Sequence, residues 1–337
     1  MIQLPFSKCT LATMVMATVA TAFAIVCLVN ALDWFARQQK VYVRHFKEMI
    51  VDGPGDLNLV RSNNTIVTAY FHLNSTTNKH KNYEYYIDLM SRLFSSDDPM
   101  VIFTPPTLLP TLTHLRGKPE RTLLIPLELN ETKMAKSFSK SFWSNVSKHG
   151  RGPCINRGRN YELFQIWNSK VDLLKKVSDW NPFHSSFFAW VDAGLVRWDQ
   201  YTNSTILQRV PPELPTNQMM LLNVTPIVFH KRYHQMGGGL LGGYKPAINL
   251  YHEKYYEKLY EYGNSPDPST YTILSNEQVI LHDTCNSSPE LCFVVTPKKR
   301  QNSFSPCLTH PYFYMLPFLN EKEYHIMDRT GLVSKNG

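Results

Sequence analysis

Residues 161–197 read YELFQIWNSKVDLLKKVSDWNPFHSSFFAWVDAGLVR, and two periodicities meet in them. Leu163, Ile166, Trp167, Val171, Leu174 and Val177 recur at three- and four-residue steps, which predicts an amphipathic helix. Asn181-Pro182 ends it, because a proline ring disfavours helical backbone for the residue before it. Residues 187–191, Phe-Phe-Ala-Trp-Val, form an unbroken aromatic and β-branched run that suits a strand buried on both faces. That strand runs into Asp192-Ala193-Gly194. An acid followed by glycine at the carboxyl end of a buried strand stands where open α/β sheets bind ligands. The plainer alternative is that Asp192 caps a turn.

Outward from this stretch, residues 65–71 predict a first strand. Tyr83, Tyr86, Ile87, Met90, Leu93 and Phe94 share one helical face, and residues 100–103 and 121–126 predict two more strands. Strand, helix, strand, strand, helix, strand is an α/β order with a mainly parallel sheet flanked by helices. The chain has no Gly-x-Gly-x-x-Gly and no Gly-x-Ser-x-Gly. A dinucleotide-binding Rossmann domain and a nucleophile-elbow hydrolase therefore have no support. Beyond Asp192, the apolar runs 219–222 and 226–229 precede Gly237-Gly238-Gly239-Leu240-Leu241-Gly242-Gly243-Tyr244. Glycines this dense let a backbone approach a ligand closely, although a tight packed turn accounts for them equally well. Pro246 then sits near the first turn of a helix carrying Ala247, Leu250, Tyr251, Tyr255, Leu259 and Tyr262. Asn276-Glu277-Gln278 opens another helix or strand.

Ile166-Trp167-Asn168-Ser169-Lys170, then Asn181-Pro182-Phe183, then residues 187–194 resemble the HtrL/YibB family, which is associated with bacterial surface-polysaccharide loci and groups with the GT-A glycosyltransferases. The resemblance covers residues 65–295 and is most specific over 161–194. It implies a GT-A-like, nucleotide-diphospho-sugar transferase fold, a nucleotide-sugar donor and a glycan or glycoprotein acceptor. In GT-A enzymes this strand ends in Asp-x-Asp, which holds a divalent metal, Mn2+ or Mg2+, on the donor diphosphate. Here the first acid matches as Asp192 and Gly194 stands in place of the second. The fold inference survives that departure, while metal dependence loses a ligand.

By the same resemblance Trp167 and Asn168 meet the donor base, Lys170 supplies positive charge beside the phosphates, and Gly194, Gly242, Gly243 and Gln278 line the donor and acceptor. Asp192 is the donor-site acid and Glu277 the catalytic base. Plainer accounts stand beside these: Trp167 as core, and Glu277 as a solvated carboxylate at a helix start. His230, His234 and His310 are further candidate ligands or bases whose spacing imposes nothing.

The chain has 337 residues, 43% hydrophobic, with a formal charge of +8 and a pI near 9.0. It lacks a basic helix, a zinc pattern or an RNA-binding signature, so the excess of lysine and arginine does not point to nucleic acid; it suits a diphosphate or an anionic glycan. Residues 10–32 carry no charge, long enough for a membrane-spanning helix and longer than the roughly 7–15-residue core of a signal peptide. A retained signal-anchor is expected, with cleavage after Ala31 the alternative. The division that follows is a short cytoplasmic tail 1–9, the anchor 10–32, a stem 33–63 and a lumenal domain 64–337. Arg37, Lys40, Arg44 and Lys47 after the span oppose that orientation, but large C-terminal domains translocate largely regardless of charge.

Seven sequons favour it, at Asn63, Asn74, Asn130, Asn145, Asn203, Asn223 and Asn286. Four cysteines follow the anchor, Cys154, Cys285, Cys292 and Cys307, and allow three pairings. A Cys285–Cys292 bridge around the polar 286–289 turn is expected, with Cys154–Cys307 as the remainder; a zinc site has no familiar spacing. The expectation is a type II membrane protein of the Golgi or endoplasmic reticulum that transfers a sugar. A catalytically inactive lumenal glycan-binding or scaffold protein of the same fold is the alternative.

Overall fold

The computed structural model describes residues 21–22, 24–30, 59–73, 83–150, 160–197, 201–224, 236–296 and 315–320. Seven strands form one sheet: β1 (Asn64–Ala69), β2 (Met100–Thr104), β3 (Thr122–Pro126), β4 (Phe187–Val191), β5 (Met219–Asn223), β6 (Met236–Tyr244) and β7 (Cys292–Val295). Their order is β3-β2-β1-β4-β6-β5-β7. All neighbours run parallel except β6, which is antiparallel to both β4 and β5. The mainly parallel α/β reading holds. The glycine-rich segment is a central strand that feeds directly into the helix beginning at Lys245, not the tight turn of the alternative account, and strand alternation sends Leu240 and Leu241 into the two cores.

Helices cover both faces. α1 (Tyr83–Phe94) and α2 (Leu109–Arg116) pack on one side with Ile66, Met100, Ile102, Leu124 and Val191. α3 (Lys133–Ser137) and α4 (Lys140–His149) lie on the other side. They are joined there by α5 (Tyr161–Trp180), α6 (Lys245–Gly263), α7 (Thr270–Leu274) and α8 (Glu277–Ser287), around Val67, Phe103, Phe188, Trp190 and Leu241. α9 is Met315–Asn320. α5 ends where Asn181-Pro182 predicts, with Asn181 in the left-handed conformation and its N–H on the Val177 carbonyl. Leu250, expected on the apolar face of α6, is exposed instead.

Chain order and strand order part company at one point. From β1 the chain builds outward through β2 to β3, then returns through α5 to place β4 on β1's other flank. The crevice beyond the carboxyl ends of β1 and β4 is thus the switch point at which open α/β sheets bind ligands.

The modification residues divide clearly. Cys285 and Cys292 are disulfide-bonded, joining the end of α8 to the start of β7, whereas Cys154 and Cys307 lie outside the described residues. Of the sequon asparagines, Asn63, Asn130, Asn145, Asn203 and Asn286 are exposed, Asn223 is half-buried and Asn74 lies outside the described residues. Thr21, Ala22 and Ala24 to Asn30 are helical. Among the described residues no helix is long and apolar enough to cross a membrane; most of the expected span 10–32, and of the stem 33–63, falls outside them. So do residues 226–229 and His230, His234 and His310.

Candidate functional site

Lys170 lies in the middle of α5, on the turn between Trp167 and Leu174, and is 2% exposed. A lysine so deep must be paired, since an isolated buried ammonium costs several kcal/mol. Its Nζ donates to the Gly238 carbonyl at 2.9 Å and to Glu277 Oε1 at 3.1 Å, and stands 3.0 Å from Asp192 Oδ1. Burial pushes the Lys170 ammonium down, but Asp192 and Glu277 outweigh it and the group titrates above its ordinary value. It is a fixed positive charge.

Asp192 follows β4 directly. Its N–H donates to the Gly239 carbonyl at 2.8 Å and its carbonyl accepts from the Leu195 N–H at 2.9 Å. Backbone alone closes this turn, so the side chain is not spent as a cap. Trp190 Nε1 donates to Asp192 Oδ1 at 2.7 Å. The two side chains meet because residues two apart on extended chain share a face. With 36% of its side chain exposed, Asp192 is the member of the cluster that faces solvent.

Glu277 opens α8 behind Asn276, whose side chain accepts from the Gln278 N–H. It is 4% exposed, which overturns the solvated alternative. Its Oε2 accepts no hydrogen bond from another residue. Burial raises the Glu277 carboxyl and Asp192 adds to that, against the lowering effect of Lys170. Gly238 completes the cluster, because a Cβ there would stand 2.4 Å from Glu277 Oε1 and 3.3 Å from Lys170 Nζ. Only glycine fits.

The other expected residues scatter. Asn168 is 0% exposed and its amide is consumed by the carbonyls of Phe164 and Leu274 and by the Tyr255 hydroxyl, so it braces α5 against α6 and α7 instead of meeting a base. Trp167 is half-buried, packed against Phe164 at the edge of the core. Lys170 has its donors engaged, so any effect on phosphates reaches them through Asp192. Gly242 and Gly243 pair with Ala189 and Phe188, three to four residues back from Asp192 along β4. They serve packing, a Cβ at Gly242 lying 2.7 Å from the Phe188 carbonyl. Gly194 does sit in the Asp192 turn, and Gln278 is half-buried beside Glu277.

Trp190 and Gly238 were missed by sequence reasoning. The first had a signal, its i−2 spacing from Asp192; the second needed the β4–β6 register. Arg197 was also missed. It donates to the Gly194 carbonyl at 2.8 Å and to the Tyr85 hydroxyl at 2.6 Å, which puts a cation at the same strand end.

The described residues of this cluster do not form a divalent-metal site. Among the described residues no three His, Cys, Asp or Glu gather as a ligand set. The two carboxylates that converge do so on Lys170, whose ammonium already fills the point between them.

The family model described as "Bacterial protein of unknown function (HtrL_YibB)" matches residues 62–236. No curated protein matches the chain. Two solved structures align with much of the chain. The apo form of mouse xyloside xylosyltransferase 1 is 11% identical, covering 68% of this chain and 84% of that one at a TM-score of 0.41. A glycosyltransferase involved in glycosylating the major capsid of PBCV-1 is 10% identical, covering 63% and 75% at a TM-score of 0.28.

Proposed function

The chain belongs to the HtrL_YibB family, and from the geometry of its site we propose that it is a glycosyltransferase, moving a sugar from a nucleotide-sugar donor to a glycan or glycoprotein acceptor. The observation that carries the reading is Asp192: a solvent-facing carboxylate at the β1–β4 switch point, pinned by a buried lysine and a tryptophan. A carboxylate held in one orientation accepts hydrogen bonds from sugar hydroxyls without reorganising. In transfer, the acceptor hydroxyl oxygen bonds to the anomeric carbon and gives up its proton to solvent, the bond from that carbon to the diphosphate breaks, and the nucleoside diphosphate leaves with the electron pair. Asp192 orients the sugar for that displacement, Lys170, itself seated on Glu277, holds Asp192, and Arg197 offers positive charge to the leaving group.

The compartment reading is also ours. Exposed sequons and the Cys285–Cys292 disulfide support a lumenal domain, anchored through residues 10–32 in the Golgi or endoplasmic reticulum membrane. Nucleic acid has no place in it.

One observation favours the second reading, a catalytically silent glycan binder. At Gly194, where an Asp-x-Asp motif carries its second acid, a Cβ would stand 3.2 Å from Leu89 Cδ1 and 3.6 Å from the Tyr86 ring. Incubating the purified protein with UDP-, GDP- and CMP-sugars, and following nucleotide release with and without a glycan acceptor, tests the enzyme reading. Turnover of one donor supports it, and binding of glycan with no donor released supports the silent alternative.

A further inference from the structure

We propose that Lys170 is a resident cation: its ammonium fills an oxygen cage of the kind a divalent ion takes, so the protein engages its donor without a metal. The proposal rests on the donor site assigned to Asp192 and deepens it.

The Lys170 Nζ is surrounded by oxygens. Gly238 O stands at 2.9 Å, Asp192 Oδ1 at 3.0 Å and Oδ2 at 3.2 Å, and Glu277 Oε1 at 3.1 Å. Two carboxylates and a backbone carbonyl are the ligand types of a hard cation, but the spacing is that of N–H···O bonds. Mg2+ holds oxygen at about 2.0–2.1 Å and Ca2+ at about 2.3–2.6 Å. The cage is therefore sized for an ammonium. Gly238 keeps it open, since any side chain there would strike Glu277 Oε1. A purely structural ion pair would be sealed and satisfied. This one leaves Glu277 Oε2 without a partner and turns Asp192 to solvent. Replacing Lys170 by a short neutral side chain removes the cation and leaves both carboxylates converging on a vacant point.

The test is Mn2+ binding alone, by calorimetry and by the electron paramagnetic resonance signal of the free ion, on wild type, Lys170→Ala, Asp192→Asn and the double variant. Wild type is expected to have no saturable Mn2+ site that depends on Asp192. Lys170→Ala should gain one, at least about tenfold tighter than any weak Asp192-independent Mn2+ binding by wild type, together with a melting temperature that rises in Mn2+, and the double variant should lose both. A wild-type site abolished by Asp192→Asn overturns the proposal, as does a folded Lys170→Ala protein that binds Mn2+ no better than wild type. If Lys170→Ala does not fold, the wild-type and Asp192→Asn comparison still decides. No sugar nucleotide enters the assay, so its failure is separate from that of the glycosyltransferase reading.

Discussion

Two buried cations sit on opposite sides of the sheet, and they differ in what they leave open. Arg116, the last residue of α2, is 3% exposed; its guanidinium donates to the carbonyls of Phe94, Ser96 and Asp98 and to the Thr122 hydroxyl. Asp98 beside it accepts from the Ser96 hydroxyl at 2.6 Å and from the Ile206 and Leu207 N–H groups. Burial lowers Arg116 to about 10 and raises Asp98. Every group there has a partner and none faces solvent. The Lys170 cluster is as deep, yet it turns one carboxylate outward and leaves one carboxylate oxygen unpaired. The sealed cluster reads as scaffold, and the opening of the other at a strand end is what the donor-site proposal rests on.

The comparison breaks most readily at Arg116. Arg116→Ala takes their donor from the carbonyls of Phe94, Ser96 and Asp98 and unhooks α2 from β3, and should cost about 3–5 kcal/mol of unfolding free energy in urea melts. Lysine, lacking the planar fork, should not restore it. A loss below about 1 kcal/mol would contradict the scaffold assignment. Gly238→Ala comes next. The added methyl must displace Glu277 Oε1, so about 1–3 kcal/mol should be lost, and donor binding should fall with it because Lys170 loses its seat.

Smaller still is a matched pair. Ser96→Ala and Trp190→Phe each delete one donor to a buried or half-buried carboxylate, at about 1 kcal/mol apiece. Ser96→Ala should cost somewhat more stability, since the Asp98 N–H also loses the Ser96 hydroxyl, but only Trp190→Phe, which frees Asp192 Oδ1, should raise the donor KM. Equal effects on KM would erase the distinction between the clusters.

The smallest effect is on pH dependence. The Glu277 carboxyl is raised above its ordinary 4.5, so the folded chain holds this proton more tightly than the unfolded one. That contribution is whole below 4.5 and is lost as pH rises through the raised value. Stability of Glu277→Gln relative to wild type should therefore improve from pH 4.5 upward, read from melts at stepped pH. A difference that stays flat would mean the carboxyl is not raised.

Much of this was legible in the sequence. The helix over residues 161–180, its stop at Asn181-Pro182 and the buried 187–191 strand follow from apolar period and proline sterics, and they lead to Asp192 directly. Lys170 was legible as a chemical candidate and, with more care, as a buried one. It lies four residues from both Ile166 and Leu174, within the face the apolar residues trace. What could not be read was the partner across the sheet. Which of the five glycines meets Asp192 depends on β6 running antiparallel to β4 with Leu240 opposite Val191. A one-residue slip would exchange every neighbour. Asn168 misled for a related reason: a polar residue beside a functional lysine looks like a ligand until Tyr255 and Leu274 are placed on it.

The central claim is that Asp192 meets the donor while the Arg116 cluster only holds the fold. The most direct measurement is donor turnover by Asp192→Asn, alongside its melting temperature. Asparagine keeps the shape and removes the charge, so turnover should fall by about a hundredfold or more while the melting temperature stays close to wild type. Wild-type turnover in a folded Asp192→Asn protein would contradict the account.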